Sequence, residues 1–84
     1  MIEENQLYSI SEQIKLLRNS KKISLRELAN RSEISPAMVS KIENRRTIPS
    51  LMTLVAIAKA LDVEFFELVK NINKTHNEPY LLIK

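Results

Sequence analysis

The residues with the most chemistry to offer lie close together in this 84-residue chain. Pro36, Ala37, Ser40, Lys41 and Asn44 recur at i, i+1, i+4, i+5 and i+8, the spacing of a single helical face. That face is small at its start and polar to basic further along. Small side chains let a helix approach base edges closely, and a lysine can donate to guanine O6 and N7. A surface helix kept for solubility alone more often carries Glu/Lys pairs at i, i+4. Arg45 and Arg46 follow at the expected helix end, where cations suit phosphates. With Val39 and Ile42 turned inward, the segment Ser35–Arg45 reads as a helix that docks in the major groove of double-stranded DNA.

The charge distribution points the same way. The net charge is only +3, but between Lys15 and Arg46 nine bases (Lys15, Arg18, Lys21, Lys22, Arg26, Arg31, Lys41, Arg45, Arg46) face three acids (Glu27, Glu33, Glu43). That block is +6, and the four bases and seven acids elsewhere leave −3. A basic block beside an acidic remainder suits a face meant for a polyanion. Enzyme chemistry lacks its parts. There is no cysteine, one histidine (His76, in a polar stretch, read as a surface residue), no glycine loop for phosphates and no carboxylate cluster, so no catalytic residue, cofactor or metal is expected. The first residues, with Glu3 and Glu4, lack the basic-then-apolar design of a signal peptide. No apolar run approaches the ~20 residues of a membrane span, and a cytoplasmic location is expected.

Helical periodicity dominates the chain, and the expected fold is all-α. Ser9-Ile10-Ser11-Glu12 has the form of a capping box, predicting a first helix from Ser9 with Ile10, Ile14 and Leu17 on one face. A second box, Ser24-Leu25-Arg26-Glu27, opens a short helix with Leu25, Leu28 and Ala29 inward. Ser35 caps the third helix and Pro36 occupies its first position, where a missing amide costs nothing. Ile34 plugs the tight turn before it. After Pro49-Ser50 come Leu51, Leu54, Val55, Ala58 and Leu61, read as the stripe of a central buried helix. Phe65, Leu68, Val69 and Ile72 mark a fifth. Met38 and Met52 read as core filler, and Phe66, beside the apolar stripe, as half of a dimer patch.

From about Ser9 to Val69 the sequence resembles the helix-turn-helix domains of phage repressors, Cro proteins and xenobiotic-response-element regulators. The likeness is carried by Ile14-Lys15-Leu16-Leu17-Arg18, Ser24-Leu25-Arg26-Glu27-Leu28-Ala29, Ile34-Ser35-Pro36, Val39-Ser40-Lys41-Ile42-Glu43-Asn44, Pro49-Ser50-Leu51 and Leu54 through Leu61. It implies a five-helix repressor-like domain in which Pro36, Ala37 and Lys41, with Ser40 beside them, face bases. Ser35 and Asn44 match phosphate-binding positions, and Ser24, Arg26, Arg45 and Arg46 join them as expected phosphate contacts. Arg18 and Glu43 match a partly buried ion pair tying the first helix to the recognition helix. Two departures stand out. The family often has glycine at the positions of Lys22 and Glu33, where the chain turns through a left-handed conformation. A polar amide donor common at the Leu25 position is missing, and Arg26 is the candidate to replace its phosphate contact.

The expected organisation is therefore an N-terminal arm over 1–8, a DNA-binding domain over 9–73, and a linker with a short apolar extended tail over 74–84. The expected function is transcriptional regulation by a homodimer on an inverted repeat, with double-stranded DNA as the partner and dimer contacts from the fifth helix and tail. Two alternatives stay open. One is an antitoxin-type protein that also binds a protein partner. The other is the N-terminal part of a longer regulator, because residues 78–84 resemble the linker and first strand before a cupin-like sensor domain.

Overall fold

The computed structural model describes residues 4–70, with side chains from Ser9 onward; Ile72, His76 and the apolar tail lie outside these. Five helices follow one another: α1 Glu4–Ser20, α2 Leu25–Ser32, α3 Pro36–Glu43, α4 Leu51–Leu61 and α5 Phe65–Val69. No strand occurs among the described residues. Ile10, Ile14, Leu28, Val39, Ile42, Ile57, Leu61 and Leu68 form the solvent-free centre of one core. α2 packs on both α3 and α4, while α1 lies across α3, α4 and α5.

Serine sets three of the helix starts. Ser24 Oγ accepts from the Glu27 amide at 3.0 Å, Ser35 Oγ from Met38 at 3.1 Å and Ser50 Oγ from Thr53 at 3.1 Å. Each satisfies an amide the helix itself leaves unpaired, a contribution of about 1 kcal/mol relative to alanine. The reciprocal half of the box at Ser24 is replaced: the Glu27 carboxylate accepts from Arg31 Nε at 2.8 Å, one turn on.

The expected cap at Ser9 is corrected. α1 already runs from Glu4, so residues 4–8 are helix rather than arm, and Ser9 and Ser11 are buried inside it. Ser11 Oγ donates instead to the Ile42 carbonyl at 2.7 Å, a contact made across the fold. A serine pattern that looks like a local start signal is thus a tertiary one.

Four helices end in the same way, without glycine. Lys22, Glu33, Arg45 and Asp62 have φ of 59°, 60°, 61° and 59°. The amide after each reaches back to the final turn: Ile23 to Arg18 O at 3.0 Å, Ile34 to Ala29 O at 3.1 Å, Arg46 to Lys41 O at 2.8 Å, and Val63 to Ala58 O at 3.0 Å. This is the left-handed closure that glycine usually occupies. The chain keeps that geometry at Lys22 and Glu33, accepting ~1–2 kcal/mol of Cβ strain at a non-glycine position. At three closures the following residue is apolar (Ile23, Ile34, Val63) and packs against the core or lies within it. At the exit of α3 it is Arg46, exposed.

In α4 the buried face is Leu54, Ile57, Ala58 and Leu61. Leu51, expected inward, is 64% exposed, and Val55 is half-buried. The methionines are corrected too: Met52 is 72% exposed and Met38 38%, so neither fills the core.

Candidate nucleic-acid interface

α3 has two unlike sides. Val39, Ile42 and Glu43 are buried, whereas Pro36, Ala37, Lys41 and Asn44 are exposed and Ser40 is half-buried between them. The helix stops at Glu43 with Asn44 as its cap, shorter than the expected 35–45. Arg45 and Arg46 therefore lie in the closing turn, and the bond from the Arg46 amide to Lys41 O fixes where that turn leaves the helix.

The inward side is held by polar contacts as well as packing. Arg18 Nε donates to Glu43 Oε2 at 2.7 Å and a second guanidinium nitrogen donates to Oε1 at 3.0 Å, a two-pronged pair. A third donor of the same group reaches the Ile23 carbonyl at 2.9 Å, so one side chain joins α1, the α1–α2 turn and the end of α3. The Glu43 side chain is 3% exposed and that of Arg18 14%. The hydrogen bond to Glu43 raises the Arg18 pKa above its ordinary value, burial opposes this, and the Glu43 charge adds to the rise. The guanidinium is charged at any working pH. Ser11 grips the carbonyl of Ile42 beside it. Sequence reasoning missed this second grip; its only signal was a serine at a position that the Ile10 and Ile14 periodicity places close to the core.

The outward side is lightly engaged. Asn44 Nδ2 donates to Ser40 Oγ at 3.2 Å, pre-orienting the amide one turn along. The side chains of Lys41, Arg46 and Arg26 enter no ion pair or hydrogen bond among the described residues, and all three residues are exposed. The Ser24 and Ser35 hydroxyls accept from backbone amides, which leaves each proton available to donate outward. An open cleft of about 410 Å³ beside the start of α3 is lined by Arg26, Glu27, Ala29, Asn30, Ile34 and Pro36. Among the described residues, no group of His, Cys, Asp or Glu could hold a metal ion, and no helix is long and apolar enough to cross a membrane.

A short helix, the turn Glu33-Ile34-Ser35, and a third helix with a polar, basic and nearly unpartnered face define a helix-turn-helix module. The model of the helix-turn-helix family matches residues 14–68, and the chain belongs to that family, of the repressor, Cro and xenobiotic-response-element type. It is 40% identical over 55 residues to an uncharacterized HTH-type transcriptional regulator of Sinorhizobium fredii, and 36% identical over 58 residues to the HTH-type transcriptional repressor RghR of Bacillus subtilis. These alignments cover 66% and 68% of the chain but only 28% and 43% of the two relatives. Among solved structures it is similar to the restriction-modification controller protein C.AhdI of Aeromonas hydrophila, with a TM-score of 0.74, 30% identity, and coverage of 76% of this chain and 97% of that one.

Proposed function

We propose that the chain binds double-stranded DNA sequence-specifically, as a homodimer on an inverted repeat, with α3 in the major groove. Pro36, Ala37, Ser40 and Lys41 face base edges. Ser24, Arg26, Ser35, Asn44, Arg45 and Arg46 hold phosphates on either side. The observation that carries this reading is Lys41, exposed and unpaired on a helix whose other side is fixed by Arg18, Ser11 and the core. A rigid helix with a free donor on its outward face is suited to reading rather than to packing. Such a regulator acts in the cytoplasm, where the DNA is, and the reading gives it no enzymatic step.

Two copies extend the read length, since a single small domain reads only a few base pairs; half-site centres then lie about one helical turn, ~34–36 Å, apart. Phe66 on α5, 65% exposed, supplies an apolar contact for that pairing, together with the tail. Selecting bound DNA from a random pool, then footprinting and sedimenting the complex, tests the proposal. A palindromic consensus with a two-copy complex is expected; a single copy protecting one asymmetric site would overturn the dimer. The greater length of the curated relatives favours a second reading, in which this DNA-binding unit is the N-terminal part of a longer regulator.

A further inference from the structure

On the proposed docking, the outward face of α3 also carries information about what it reads. Its first turn presents Pro36, Ala37 and, at the edge, Met38, all exposed. None of these side chains has a hydrogen-bond donor, and only the weak thioether of Met38 can accept. Four residues after Ala37 stands Lys41, with a long stem and three donors and no partner among the described residues.

We infer that each half-site pairs a thymine methyl, packed on Ala37 and its apolar neighbours, with a guanine read by Lys41 about two base-pair steps away. In the major groove the T C5-methyl is the apolar mark on a base edge, and alanine is a side chain that can meet it. Any base edge that offers only donors or acceptors there loses water to Pro36 and Ala37 without gaining a hydrogen bond, which disfavours it. The spacing follows from two repeats. Four helical residues rise about 6 Å, and successive base pairs lie ~3.4 Å apart along each strand. Side-chain length sets the tilt. Ala37 reaches a methyl only if the backbone comes close, whereas Lys41 can span a gap, so the N-terminal end of α3 lies deepest and the helix rises towards Asn44, Arg45 and Arg46 at the phosphates. Ser40, between the two, accepts from Asn44 Nδ2 and keeps its own proton to donate, so it adds a polar contact beside the methyl and the guanine.

The test uses the DNA sequence that the full chain selects. Replacing the inferred thymine by deoxyuridine removes only the methyl, and binding should weaken by about fourfold per half-site, the equivalent of ~0.8 kcal/mol for one buried methylene-sized group. A 5-methylcytosine·guanine pair at that step should recover part of the loss that unmethylated cytosine causes. Replacing the guanine by 7-deazaguanine, which lacks the N7 acceptor, should weaken binding for wild type but not for Lys41→Ala. In Ala37→Gly, checked by thermal melting to be folded, deoxyuridine should no longer matter. Specific binding that depends on guanine N7 but ignores every thymine methyl would overturn this inference and leave the docking intact. No sequence preference at all would overturn both.

Discussion

At the scale of single residues, the proposed docking of α3 separates groups that read from groups that hold, and substitutions should separate them too. Lys41→Ala is expected to cost ~1–3 kcal/mol on the preferred site and to relax the preference at one base pair per half-site. Arg46→Ala should instead weaken all sequences alike and flatten the slope of log K against log salt by about one. Titrations at several salt concentrations, on preferred and scrambled DNA, distinguish these patterns; a Lys41→Ala protein with undiminished preference would show that α3 is docked differently. Arg18 tests the holding side. Arg18→Leu strands the Glu43 carboxylate, whose side chain is 3% exposed, and should destabilise the fold by about 3–5 kcal/mol in denaturant unfolding. Adding Glu43→Leu should restore much of that loss, because an apolar pair avoids the desolvation both charges incur. If the double variant were no more stable than Arg18→Leu, the bond to the Ile23 carbonyl, rather than the ion pair, would be the main contribution of Arg18.

Among the elements, the clearest consequence concerns the four left-handed closures. Glu33→Gly should relieve ~1–2 kcal/mol of Cβ strain while giving back ~0.5–1 kcal/mol through the freedom glycine gains in the unfolded chain. The net gain should raise Tm by a few degrees for a domain of this size. Asp62→Gly should gain less, since aspartate tolerates this region better than glutamate. A lower Tm for Glu33→Gly, followed by circular dichroism, would mean that this turn carries no strain. The elements also show where sequence reading succeeds. α2, α3 and the start of α4 are legible because serine caps and, for α3, a first-turn proline act locally. The start of α1 is not, because Ser9 and Ser11 imitate a cap although both are buried and Ser11 bonds across to α3. α4 fails for another reason: apart from Thr53 and Lys59 it is apolar all round, so the hydrophobic period has no phase and Leu51 looks as inward as Ile57. For the reading face, the sequence supplied the residue types and spacing, but the grip of Ser11 on Ile42 appears only in the folded chain.

For the whole molecule, the open question is what a second copy adds. Phe66 is 65% exposed and outside the core, so Phe66→Ser should leave thermal stability nearly unchanged at concentrations where the protein is monomeric. On the proposed pairing it should shift sedimentation towards monomer and weaken binding to the full inverted repeat far more than to an isolated half-site, because the second contact loses its high effective concentration. Equal weakening on both DNAs would place Phe66 outside the pairing surface. Deletion of residues 77–84 is the companion test for the tail, with unchanged pairing and affinity pointing to a linker.

The two-sided construction of α3 has a consequence for how such a protein changes over generations. Among the described residues, no outward side chain of Pro36, Ala37, Lys41 or Asn44 is hydrogen-bonded to the groups that grip the helix, Ser11 and Arg18; those bonds end on Ile42, Glu43 and Ile23. The address and the frame are written in different letters of the same helix. On the proposed docking, a gene copy can therefore drift at the outward positions and acquire a new operator without first losing its fold, which is the condition under which a duplicated regulator becomes a second, independent one.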